Sequence, residues 1–128
     1  MNFPGDLKYT KDHEWAKVEG NQVTVGVSDH AQSSLGDVVF VDLPKVGREL
    51  KVGEVFGVVE SIKAVSDLYS PVAGRVTAVN GDLANEPSKV NQDPYGSAWL
   101  VKMELTDPSS LSSLMSAKDY QAFVASLG

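Results

Sequence analysis

The sequence predicts a mostly β domain, a small sandwich or barrel with a short helical turn and a C-terminal helix. Three observations support this. Short β-branched runs recur along the chain, turn residues punctuate them about every 8–12 residues, and helical spacing of apolar residues is confined to the C-terminal end. The chain has 128 residues, 42% of them hydrophobic. That is enough for one core, so a single domain spanning 1–128 is expected.

Val23, Val25 and Val27 alternate with Thr24 and Gly26, the period of a half-buried strand. In SDHAQSSLG, Ser28 or Asp29 can cap a short helical turn and Gly36 can end it. Val38 to Leu43 is β-branched, too short for a helix, and stopped by Pro44. VGRELKVGE reads as a turn and short strand, and Glu54 to Ser61 as another strand. Gly74 to Val79 forms a strand closed by the turn signal Asn80-Gly81. The polar stretch NEPSKVNQDPYG reads as a loop, and SAWLVKMEL as the last strand. Asp107-Pro108 then opens a helix over about 109–126, with Leu111, Leu114, Met115, Tyr120, Phe123, Val124 and Leu127 near helical spacing. A weak echo links the halves: Gly36-Asp37 and Gly74-Arg75 each lead into a strand, a loop and a second strand.

Composition narrows the function. Acidic residues outnumber basic ones 17 to 11, a formal charge of −6. Phosphate backbones repel such a surface, and no basic stripe offsets it, so nucleic acid is not expected as a partner. There is no cysteine, which excludes disulfides, thiolate nucleophiles and zinc ribbons. No apolar run approaches the ~20 residues of a membrane span. The N-terminus lacks the apolar region of a signal peptide, and the sequence reads as a complete cytoplasmic product, with no membrane association expected.

The informative stretch is GEVFGVVESIKAVSDLYSPVAG. Lys63 lies ten residues after Gly53 and eleven before Gly74, near the midpoint of a hairpin whose tip falls near 62–67. Its neighbours Ile62 and Ala64 are apolar or small. A lysine so placed protrudes into water, where a modifying enzyme can grip it. Taken alone it reads as a solvated turn lysine, and only the flanking pattern changes that.

The order and spacing of Gly53, Glu60, Ser61, Lys63, Ser70, Pro71 and Gly74 resemble the lipoyl-attachment motif. With KYTKDHEW (Lys8 to Trp15), VGVSDHAQ (Val25 to Gln32), LGDVVFVDLP (Leu35 to Pro44) and the DPYG segment, the chain is similar to the H-protein family of the glycine cleavage system over roughly residues 7 to 125. Dehydrogenase lipoyl domains share the hairpin but not DHEW, SDHAQ or DPYG.

The resemblance implies a lipoyl-like barrel-sandwich hybrid, a flattened β-barrel. It implies lipoate in amide linkage on Lys63, with Glu60 and Ser61 recognised by the lipoylating enzyme. The partners implied are the glycine decarboxylase P protein, the aminomethyltransferase T protein, the dihydrolipoyl dehydrogenase L protein, and lipoate ligase or the lipoyl synthase pathway enzymes. The chain would be a non-catalytic monomeric carrier, with no catalytic residue and no metal. Glu14, Ser34 and Asp67 match positions of a cleft that docks the arm, and Ser34 stands where some members carry histidine. By residue type alone, Glu14 and Asp67 read as a surface charge and a turn residue.

Two other carriers share this chemistry: a relay protein passing lipoyl or octanoyl groups to other enzymes, and a biotinyl domain. Biotin sites usually flank the lysine with methionine, which Ile62 and Ala64 disfavour. His13 and His30 lack the spacing of a zinc protease motif and read as structural or surface histidines. Trp15 and Trp99 read as core or rim packing.

Overall fold

The structure, a computed structural model, describes residues 1–127. Its strands are β1 (Lys8–Tyr9), β2 (Glu14–Glu19), β3 (Gln22–Val27), β4 (Val38–Asp42), β5 (Glu49–Leu50), β6 (Val55–Ser61), β7 (Val65–Tyr69), β8 (Gly74–Val79), β9 (Val101–Leu105) and β10 (Met115–Ser116). They form a seven-stranded sheet, β10-β1-β2-β3-β9-β8-β5, and a three-stranded sheet, β4-β6-β7. The main core includes Val23, Val25, Val41, Phe56, Val59, Val76 and Met103, drawn from both sheets. The architecture is therefore the expected β sandwich with a C-terminal helix, and its two sheets stay open instead of closing into one barrel. The sequence echo separates in space: β4 pairs with β6 in one sheet, β8 with β9 in the other.

Local signals explain most elements. Val23, Val25 and Val27 are buried in β3 as their alternation requires. Helix α1 (Asp29–Leu35) begins where the Ser28 side chain accepts from the Ala31 amide, and it ends at Gly36 with φ 75°, a left-handed value that glycine adopts without a Cβ clash. At Gly57 the close approach is to backbone: a Cβ there would collide with the Asp42 carbonyl across the β4–β6 pairing. Several segments depart from expectation. The strands β1 and β2 were not foreseen, and the polar stretch read as a loop contains two single-turn helices, α2 (Asp82–Asn85) and α3 (Lys89–Gln92).

The helix expected over about 109–126 is divided. Asp107 does cap a helix, but it is a 3-10 helix, Pro108–Ser113. There Ser110, Ser112 and Ser113 donate their hydroxyls to carbonyls three residues back, the competition with backbone that makes serine a poor helix interior. Leu114 is extended, and Met115–Ser116 pairs with β1. Ser116 then caps α4 (Ala117–Ser126) by accepting from the Asp119 amide. Leu111, Leu114 and Met115 therefore precede α4, and Leu127 is exposed.

Tyr120 of α4 is fully buried in a second, aromatic cluster with Leu7, Tyr9 and Trp15. Its ring stacks on Tyr9 at 4.6 Å. Trp15 is buried against Gly26 and donates its indole N–H to the Pro94 carbonyl at 2.9 Å. Trp99 sits at the rim with Lys102 Nζ 5.2 Å from its ring. No helix among the described residues is long and apolar enough to cross a membrane.

Candidate functional site

Lys63 sits at the tip of the β6–β7 hairpin. The tip is shorter than 62–67, because the ladder resumes at Glu60↔Val65 and only residues 62–64 lie outside the strands. Ser61 closes it. Its amide donates to the Ala64 carbonyl at 2.8 Å, and its hydroxyl accepts from the amides of Ala64 (3.1 Å) and Lys63 (3.3 Å). One serine side chain thus satisfies two turn donors that no ladder partner reaches. At the base, the Gly53 amide donates to the Ser70 carbonyl at 2.8 Å. Every residue from Ile62 to Asp67 is exposed, and Lys63 makes no ion pair among the described residues.

Beside the tip opens a cavity of about 280 Å³. Buried Val27, Leu35, Val59 and Leu68 give it apolar walls, and Asp12, Glu14, Ser34 and Asp67 bring polar groups to it. Five separate segments meet there: the β1–β2 turn with the start of β2, β3, α1, β6 and the tip with β7. The β1–β2 turn is held by Thr10, whose hydroxyl donates to Glu14 Oε1 at 2.9 Å and accepts from the amides of Asp12 and Glu14, each at 3.2 Å. His13 pays for this tightness with a positive φ of 69°.

Glu14 is 1% exposed. Its Oε2 accepts weakly from the Tyr69 amide at 3.4 Å. Burial pushes its carboxyl up to about 8, against the lowering effect of the Thr10 and Tyr69 hydrogen bonds. At neutral pH it is mostly protonated, a neutral acid. His13 is held below the usual imidazole range, first by burial and then by His30, whose ring lies 4.6 Å away. Its Nδ1 is hydrogen-bonded to Tyr120 OH at 2.8 Å, so it serves α4 and forms no dyad with Glu14. Among the described residues no cluster of three His, Asp or Glu could hold a metal.

The expected cleft residues Glu14, Ser34 and Asp67 do come together, all lining this cavity. Two of the residue-type readings are corrected. Glu14 is no surface charge: it begins β2, an interior strand flanked by β1 and β3, and it is buried. Asp67 is no turn residue, because it pairs with Val58 in the middle of β7. Ser61 braces the tip, while Glu60 pairs with Phe40 and Val65. Sequence reasoning passed over Asp12 and Thr10, and it read His13 only as a structural or surface histidine, whereas His13 lines the cavity. Their signal lay in the same KYTKDHEW segment, where a tight turn sets Thr10 four residues before Glu14.

Comparison with known proteins gives a consistent answer. The family model described as Glycine cleavage H-protein matches residues 7–127. The chain is 57% identical over 123 residues to a glycine cleavage system H protein of Myxococcus xanthus, covering 96% of this chain and 95% of that one. It is 58% identical over 125 residues to that of Koribacter versatilis, covering 98% and 96%. A crystal structure of a glycine cleavage system H protein from Mycobacterium marinum superposes with a TM-score of 0.88 at 39% identity, over 95% of this chain and 98% of that one.

Proposed function

The chain belongs to the glycine cleavage H-protein family, and on that premise we propose that it is the lipoyl carrier of glycine cleavage, a non-catalytic subunit acylated by lipoate on Lys63. It takes the aminomethyl group of glycine from the P protein to the T protein and is reoxidised by the L protein. A lipoate ligase or the lipoyl synthase pathway loads it. The observation that supports this most is the placement of an exposed, unpaired amine at a braced hairpin tip beside an acid-lined cleft.

The residues fit the group. The Lys63 amine is accessible, and Ser61 holds the backbone on both sides of it. When bound, lipoate supplies a dithiolane that accepts the one-carbon amine and is left reduced. The chain contributes attachment and shelter. Val27, Leu35, Val59 and Leu68 offer an apolar bed, and Glu14, Asp12 and Asp67 face the space where an ammonium group would lie. A cation entering beside Glu14 favours its ionised form. The exchange releases a proton as the cation enters, so the cleft gains no net buried charge. Ser34 adds a hydroxyl that cannot itself be charged.

Intact-mass measurement on protein from its native host tests the reading. A lipoyl increment is expected in the natural chain and its loss in Lys63→Arg. An unmodified Lys63 in cells growing on glycine would overturn it.

A further inference from the structure

The hairpin tip rests on a ledge formed by Gly36, Asp37 and Val38. The Ile62 amide donates to the Asp37 carbonyl at 3.1 Å. The Lys63 side chain lies over Gly36 so closely that a Cβ there would stand 3.3 Å from Lys63 Cε. This ledge leads into β4, an edge strand of the three-stranded sheet. A bulge between Val38 and Phe40 breaks the β4–β6 ladder just past its first pair, Val38↔Ser61, so the ladder alone holds this end loosely.

Among the described residues the outer edge of the ledge has no strand partner. In its place stands the side chain of Asn91, from α3. Its Nδ2 donates to the Gly36 carbonyl at 2.7 Å and to Gln32 Oε1 at 3.3 Å, and its Oδ1 accepts from the Val38 amide at 2.8 Å. A carboxamide that donates to residue i and accepts from residue i+2 reproduces the bonds of one residue in a neighbouring strand. Carbonyls and amides alternate in direction along an extended chain, so fixing 36 and 38 on one edge aims the Asp37 carbonyl at Ile62 on the other.

We infer that Asn91 is a positioning residue for Lys63: its carboxamide substitutes for a missing strand and sets the ledge that fixes the hairpin tip. This rests on the reading of Lys63 as the acylated residue. A tip ordered in advance spares a modifying enzyme the cost of ordering it, so Asn91 acts on binding of the chain and not on the chemistry of the amine.

The test replaces Asn91→Asp, which keeps an acceptor for the Val38 amide and sets a carboxylate oxygen against the Gly36 carbonyl. Asn80→Asp is the control. Asn80 is buried and donates to the carbonyls of Ser97 (2.7 Å) and Trp99 (2.8 Å), at a place that makes no bond to the ledge or the tip. Amide exchange at Ile62 and steady-state acylation of the unmodified chain by a lipoate ligase, with free lipoate and ATP, are read in both. Asn91→Asp is expected to speed Ile62 exchange about tenfold and raise KM about tenfold at unchanged kcat, the scale of one lost hydrogen bond. Asn80→Asp is expected to lower stability and move neither. Asn91→Ser, a smaller change, is expected to act in the same direction and serves if the aspartate variant does not fold. Ile62 exchange that is unchanged, or that moves equally in the Asn80 control, overturns the inference. Failure of the natural chain to be acylated at Lys63 overturns the carrier reading instead, and Ile62 exchange still decides the role of Asn91.

Discussion

Glu14→Gln is expected to make the protein more stable at neutral pH and to remove a pH dependence. Burial lifts the Glu14 carboxyl from an ordinary 4.5 to about 8 in the folded chain. Between those values the folded state binds a proton that the unfolded state has released. The slope of stability with pH is set by unfolded minus folded proton number, which is negative here, so stability falls as pH rises through that window and levels off above about pH 8. From pH 4.5 to 7 the loss from this one group is about 3 kcal/mol, at ~1.36 kcal/mol per pH unit. Glutamine keeps the shape and an acceptor oxygen for Thr10 and does not titrate. Urea unfolding of both proteins at pH 5, 6, 7 and 8 gives the difference directly, since the other ionisable groups are shared. Glu14→Gln is expected to gain steadily on the natural chain, by about 3 kcal/mol at pH 7. Parallel curves would refute the assignment of a protonated, buried Glu14. In the proposed docking, a cation entering beside Glu14 would displace that proton, so binding would tighten as pH rises toward 8.

Tyr120→Phe removes a hydroxyl bonded to Ser28 Oγ at 2.7 Å and His13 Nδ1 at 2.8 Å, and keeps the stack on Tyr9. Urea unfolding is expected to show a loss of about 1–3 kcal/mol. Gly57→Ala sets a methyl against the Asp42 carbonyl and is expected to cost about 1–3 kcal/mol, with the fastest amide exchange appearing along β4. Uniform exchange across both sheets would argue against a local clash.

Much of the fold was legible in short windows. Valine alternation marked β3, and Gly74–Val79 was read to its ends. Ser28, Gly36 and Asp107 cap or stop their elements as their side chains dictate. The C-terminal helix was overextended because Leu111, Leu114 and Met115 share its spacing, yet Met115 is claimed by Tyr9 of β1, over a hundred residues away. Strand β2 escaped notice because Glu14, Trp15 and Ala16 are buried in succession, which hides the period of two.

The sequence by itself determined the chemistry available: one lysine between spaced glycines, no thiol, and motifs that name a family. Those features are local, and local spacing suffices to read them. Only the tertiary structure decided what surrounds Lys63. It buried Glu14, set Asp67 on a strand lining the same cleft, and brought Asn91 to the ledge beneath the tip. Each of these depends on segments far apart in the chain meeting at one place. Burial and hydrogen bonding there follow from long-range pairing, which no window of neighbouring residues encodes.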